Sequence, residues 1–125
     1  MKMVLKGVLM LLAVLFVSLG VRWLIFPGGV APEFGLSLAD GIGLSTQVGD
    51  LSAFFLTLGL SLALALATAR RLWFYPPAML LLLAALGRVL AWLLHGATFA
   101  GAMILTELLG GALILLGSRV LAERE

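Results

Sequence analysis

The chain has 125 residues, of which 63% are hydrophobic and only 11% are charged, and its mean hydropathy is +1.23. Soluble domains carry about 25% charged residues, so this composition excludes an ordinary soluble domain and indicates one compact membrane domain. The lack of cysteine excludes disulfides and thiolate chemistry, and the net charge of only +2 does not indicate a nucleic-acid partner.

Four long apolar segments predict four membrane-spanning helices, since crossing the hydrocarbon core takes roughly 20 apolar residues. The first segment opens with Lys2 and Lys6 and closes at Pro27. A basic start is also typical of a signal peptide, but the apolar stretch is long and no small-residue cleavage site follows it, so we expect a retained helix. The predicted spans cover residues 4–26, 51–69, 73–94 and 97–118.

The connections between these spans differ in length. Residues 27–49 are rich in Gly and Pro but partly apolar, and we expect an outer loop that rests on the membrane surface, with a lid over the bundle as the alternative. Aromatic residues at 73–75 are typical of an interfacial anchor. The turn at His95-Gly96 is very short, so the third and fourth spans are predicted to be antiparallel neighbours.

Charge distribution predicts the orientation. With four spans, Glu33, Asp40 and Asp50 fall on one side of the membrane. The basic residues expected on the other side are Lys2, Lys6, Arg70, Arg71, Arg119 and Arg124. Basic loops stay cytoplasmic, so both termini are predicted to be inside. The expected fold is an all-α integral membrane four-helix bundle with antiparallel spans, in a bacterial inner (plasma) membrane.

Arg88 and Glu107 each interrupt a long apolar run. A charge at the bilayer centre costs at least about 2.5–3.5 kcal/mol, so such residues usually face the bundle interior and find a partner. Counted from the outer turn at 1.5 Å per residue, Arg88 is expected about 10 Å deep and Glu107 about 15 Å deep. An arginine side chain can span that difference, so the two are predicted to pair.

Other polar residues are predicted to surround this pair in the outer half of the bundle. Arg22 ends the first span, Asp50 begins the second, and His95 shares a helical face with Arg88. Trp92 lies one turn from Arg88 and is interpreted as packing. No metal site is predicted, because no second His, Cys or nearby carboxylate has ligand spacing.

Three interpretations of the pair remain open. It can lock the third helix to the fourth without binding anything. It can lie in a pocket open to the outside that takes a small amphiphile, a lipid head group or a quinone. It can also act in proton coupling through Glu107, as in small dimeric exporters, although a transport carboxylate normally lacks a permanent cation such as Arg88 beside it.

Residues from Asp50 to Ala122 carry a set of short motifs. They are Phe54-Phe55 followed by Gly59, then Gly87-Arg88 and His95-Gly96, then Thr106-Glu107-Leu108. In these the chain resembles a family of small bacterial four-helix membrane proteins of unknown function within the DoxX-like superfamily. It departs from the family pattern at Ala53, where an arginine is frequent, and at Gly111, where a proline is frequent. Arg22 is the candidate to supply the missing cation.

This resemblance implies a fold and a site more than an activity. Better-known relatives include a thiosulfate-to-quinone oxidoreductase subunit, so contact with a quinone is implied by analogy alone. We expect a non-enzymatic binding or accessory protein with no evident cofactor, embedded in the lipid bilayer as a homo-oligomer or part of a larger complex. The alternatives are a small dimeric transporter and a quinone-contacting subunit of a redox complex.

Overall fold

The structure is a computed structural model that describes residues 1–123. Over that range the chain is helical and has no strand element. The α-helices are α1 (Lys2–Ile25), α2 (Pro27–Val30), α3 (Gly41–Thr68), α4 (Tyr75–His95) and α5 (Gly101–Val120), and two 3₁₀ turns cover Ala31–Phe34 and Arg71–Phe74. Arg124, predicted on the basic side, lies outside the described residues.

Four of the helices are long and apolar enough to cross a membrane. They are α1, α3, α5, and α4 together with the 3₁₀ turn that precedes it. Large apolar side chains also cover the outside of the molecule: Met3 is 87% exposed, Ile25 77% and Leu94 69%. An apolar exterior of this extent marks a surface that contacts lipid or another protein. The prediction of four membrane-competent helices is therefore confirmed.

The second predicted span begins too late. Helix α3 starts at Gly41, ten residues before Leu51, so residues 41–49 are helical and the prediction of one loop over 27–49 is wrong. Three glycines and several polar residues in this stretch lower its helical and apolar signal. The Gln47 side chain stabilises the early helix, because its Oε1 accepts from the Ala39 N–H at 2.9 Å and its Nε2 donates to the Ser37 carbonyl at 3.0 Å.

Residues 26–40, which we call the connector, pack into the bundle at their centre and are exposed elsewhere. Val30 and Ala31 are fully buried in the hydrophobic core. The ring of Phe34 lies 6.2 Å from the Trp23 ring and 5.2 Å from the Phe55 ring. The connector therefore covers part of the bundle near the end of α1. That it rests on the membrane surface stays a prediction.

The long helices pack as two pairs. Contacts are most extensive between α1 and α3 and between α4 and α5, and they are fewer between the pairs. Gly59 permits the close approach in the first pair: a Cβ on it would lie 2.8 Å from the Ala13 carbonyl oxygen and 2.8 Å from the Val17 nitrogen. The pairs meet where Gly117 of α5 lies against Leu9 and Phe74.

The turn between α4 and α5 is longer than predicted. It covers residues 96–100, because α4 ends at His95 and α5 begins at Gly101 instead of residue 97. Gly96 takes the left-handed conformation (φ 70°) that ends α4, a conformation that favours glycine. Phe99 within the turn packs edge-on against Trp92, with ring centroids 4.9 Å apart.

Candidate functional site

Arg88 of α4 and Glu107 of α5 form a direct ion pair. The Arg88 Nε donates to both carboxylate oxygens of Glu107, at 2.9 Å to Oε1 and 3.0 Å to Oε2. The Glu107 side chain is 12% exposed and the Arg88 side chain 33% exposed. A charge-assisted bond of this kind joins the two helices where both are otherwise apolar.

Helix boundaries explain why the two side chains meet. Glu107 lies six residues after the start of α5, and Arg88 lies seven residues before the end of α4. At 1.5 Å per residue these positions are about 9 Å and 10 Å from the turn. The predicted difference of about one helical turn in depth is wrong, because α5 begins four residues later than expected.

The pairing leaves most of the guanidinium group unused. Arginine has five N–H donors, and only the one on Nε is directed at Glu107. Within residues 1–123 the four N–H bonds of the two Nη groups have no protein acceptor. The Arg88 side chain is one-third exposed, so these donors are accessible to an acceptor oxygen from outside the chain.

A cavity of about 470 Å³ lies beside the ion pair. Each of the four long helices and the connector contribute to its wall. Its polar lining residues are Arg88, Thr106 and Glu107, and the remaining wall is apolar. The Thr106 hydroxyl already donates to the Ala102 carbonyl at 2.9 Å, so the free donors of this cavity belong to Arg88.

Aromatic rings form one side of the cavity. Phe55 lies at their centre, with ring centroids 5.1 Å from Phe54, 5.2 Å from Phe34 and 6.4 Å from Phe16. All four line the cavity. The roles of Phe34 and Phe16 were not anticipated from the sequence, although the apolar character of the connector was a usable signal.

The remaining predicted site residues do not gather around the pair. Arg22 pairs instead with Glu33 of the connector. Asp50 lies ten residues into α3 and is exposed, and His95 is exposed as the last residue of α4. Trp92 is 45% exposed and packs against Phe99. The predicted polar cluster is thus reduced to Arg88 and Glu107, and no group of three or more His, Cys, Asp or Glu residues within 1–123 can hold a metal ion.

Arg22 and Glu33 hold the connector against the end of α1. The two Nη groups of Arg22 face the two carboxylate oxygens of Glu33, with Nη1 donating to Oε1 at 3.3 Å and Nη2 donating to Oε2. The hydrogen bonds from Arg22 lower the pKa of Glu33, with partial desolvation opposing them and the charge of Arg22 adding to them. Sequence alone placed Glu33 on the same side as Arg22 but did not reveal this contact.

We expect the docking of the connector to weaken in acid. A pKa lowered by folding stabilises the folded state above the ordinary value of 4.5, and this contribution is lost as the pH falls through the lowered value. The effect is small because both side chains are about half exposed. Thermal unfolding between pH 7 and pH 3 measures it.

Two variants separate this contact from general acid sensitivity. Glu33→Gln should remove the part of the pH dependence of thermal unfolding that the Arg22–Glu33 contact causes. Asp40→Asn changes an exposed carboxylate of the same connector and should leave that pH dependence in place. Identical pH profiles for wild type and Glu33→Gln would contradict the assignment.

The chain matches no protein-family model, no curated protein and no solved structure. The resemblance to the DoxX-like superfamily therefore stays a prediction. The interpretation of the site depends on the geometry of Arg88, Glu107 and the cavity beside them.

Proposed function

We propose that this protein is a non-enzymatic integral membrane protein that binds a small amphiphile in the cavity beside Arg88 and Glu107. The observation that carries the proposal is the set of four unpartnered N–H donors on Arg88 at the edge of an otherwise apolar and aromatic cavity. Pockets of this kind hold a ligand by its apolar surface and orient it through a few polar groups.

Charge balance narrows the chemistry of the ligand. Glu107 neutralises Arg88, so the pair offers hydrogen-bond donors without a net positive charge. An anionic head group would add an unbalanced charge in a region of low dielectric constant. An uncharged acceptor oxygen, such as an ester or quinone carbonyl, meets no such penalty. A neutral lipid or a quinone is therefore the proposed ligand class.

The proposed topology has antiparallel spans and both ends on the cytoplasmic side. Support comes from a second, smaller cavity at which the start of α1 meets the ends of α3 and α5, through Lys2, Ala69 and Leu121. Most basic residues of the chain lie near these helix ends. The bias of basic residues toward the cytoplasm then orients the bundle, with the connector outside. The proposed location is a bacterial inner membrane.

Filling the cavity tests the proposal without altering the ion pair. Ala84 of α4 lines the cavity, so Ala84→Phe should displace an amphiphile that wild-type protein retains on gentle extraction from its own membrane. Native mass spectrometry reads the bound mass directly. Arg88→Ala should lose the same mass, because it removes the free donors.

Ala112→Phe is the matched control, since Ala112 is exposed on α5 and does not line the cavity. It should retain the ligand as wild type does. If Ala84→Phe still retained the bound mass, the proposed binding function would be rejected. It would also be rejected if wild-type protein retained no ligand.

A further inference from the structure

A separate pair of cavities lies between α1 and α3, at the end of the bundle away from the Arg88 site. The first has a volume of about 190 Å³ and is lined in part by Lys2, Lys6, Ala69 and Glu123. These residues come from the start of α1, the end of α3 and the segment after α5. None of them lines the cavity beside Arg88, so this region is independent of the function proposed above.

An apolar groove continues from this cavity along the helices. Its volume is about 370 Å³, and it shares Lys6 and Leu66 with the first cavity. On the side of α3, the small side chains of Ala63 and Ala67 leave room for the groove, and Leu66 lines it beside them. Met10 of α1, 53% exposed, lines its other side. The two spaces together form a recess at the helix ends that opens onto an apolar groove. The groove follows α1 from Lys6 to Val14, which is about two turns of helix.

The two lysines provide the charge of the recess. They are four residues apart and therefore share one face of α1. Within residues 1–123 neither ammonium group forms an ion pair or a hydrogen bond. Glu123 lines the same recess, and its backbone N–H donates to the Ala69 carbonyl at 2.8 Å. With Lys2, Lys6 and Glu123 ionised, the recess has one excess positive charge.

The position of Lys6 in α1 favours contact with an anionic group. It lies one turn inside a helix that is long and apolar enough to span the membrane. A lysine in this position extends its apolar stem along the helix and directs its ammonium group toward the head-group region. Phosphate groups of anionic lipids are the negative charges present at that level, and they attract lysines near a membrane surface.

We propose that this recess and groove bind one anionic phospholipid, with its phosphate between Lys2 and Lys6 and an acyl chain in the groove along Ala63 and Ala67. The charge of the recess matches the head group, and the apolar groove matches the chain. Lys6 and Leu66 line both the recess and the groove, so the two are continuous. A phospholipid likewise carries its head group directly next to its acyl chains.

Native mass spectrometry of the full chain in mixed micelles tests this. The probes are phosphatidylglycerol and phosphatidylcholine of the same acyl composition, supplied in equal amounts. Wild type should retain one phosphatidylglycerol in several-fold excess over phosphatidylcholine. Lys6→Gln and Ala67→Leu should each lower that retention several-fold, the first through the head group and the second through the chain.

Two controls match these changes. Arg119→Gln removes one positive charge from α5 at a position that lines neither cavity, and Ala53→Leu adds the same bulk to an exposed position of α3 outside the groove. Both should retain the lipid. Equal loss in Arg119→Gln and Lys6→Gln would show diffuse attraction and overturn the site. Retention in Ala67→Leu would show that the head group binds without the groove and would overturn the proposed site. Equal retention of the two lipids by wild type would overturn it as well.

Discussion

Replacing Glu107 by leucine is expected to lower the free energy of unfolding by about 3 kcal/mol, and Arg88→Leu should have a similar effect. Each change leaves the other charge without its partner between two apolar helices, and breaking a buried pair in this way is strongly destabilising. We expect a value at the lower end of the usual range because the Arg88 side chain is one-third exposed. Thermal unfolding in detergent, monitored by circular dichroism, measures it.

The double variant Arg88→Leu with Glu107→Leu should recover most of the lost stability, because no unpaired charge remains and leucine packs well in an apolar bundle. It should nevertheless retain no amphiphile, since the donors are gone. Asp50→Leu is the control for loss of an exposed charge and should change stability little. A double variant that still binds the ligand would assign the pair to helix locking alone.

Proton coupling through Glu107 predicts a different effect of the Glu107→Gln variant on stability. If Glu107 carried protons, Glu107→Gln would fold normally and lose only flux. Fully wild-type stability of Glu107→Gln would therefore contradict the role of the carboxylate as the partner of Arg88, and would favour transport.

A methyl group added at Gly59 is expected to destabilise the protein by about 2 kcal/mol, within the range for overpacking a tight contact. The Cβ of Gly59→Ala would lie 2.8 Å from the Ala13 carbonyl oxygen, which belongs to the backbone and cannot rotate away. Helices α1 and α3 must separate to accommodate it. Thermal unfolding should show a clearly lower midpoint.

Gly49→Ala in the same helix is the matched control, because a Cβ there has nothing within 4 Å. Alanine stabilises a helix relative to glycine by roughly 0.5–1 kcal/mol, so this variant should unfold at the same temperature or higher. If Gly59→Ala were as stable as Gly49→Ala, the close approach of α1 and α3 at this position would be incorrect.

Both sets of variants concern how the two helix pairs pack around the cavity beside Arg88. Close contacts at Gly59 and at Gly110 bring the members of each pair together. Side chains at Leu9 and Phe74 join the pairs where α5 carries Gly117. Toward the connector, the aromatic rings around Phe55 and the ion pair at Arg88 line the cavity between the two pairs.

The four long helices could be predicted because hydrophobicity is a local property of the chain. Runs of apolar residues near 20 long, interrupted by basic and Gly-rich segments, are sufficient to identify helices of membrane length. The high cost of an isolated charge in such a run also singled out Arg88 and Glu107. Neither inference requires knowledge of which helix packs against which.

Only the tertiary structure determined which charged residues pair and where the helices begin and end. Arg22 contacts Glu33 and not the inner pair because the connector folds back over the end of α1 and buries Val30 and Ala31, which depends on packing and not on local pattern. The early start of α3 depends on side-chain bonds from Gln47 to the connector. The cavity and the free donors of Arg88 arise from how the four helices pack together, because a pocket between helices is a property of their arrangement and of no single segment.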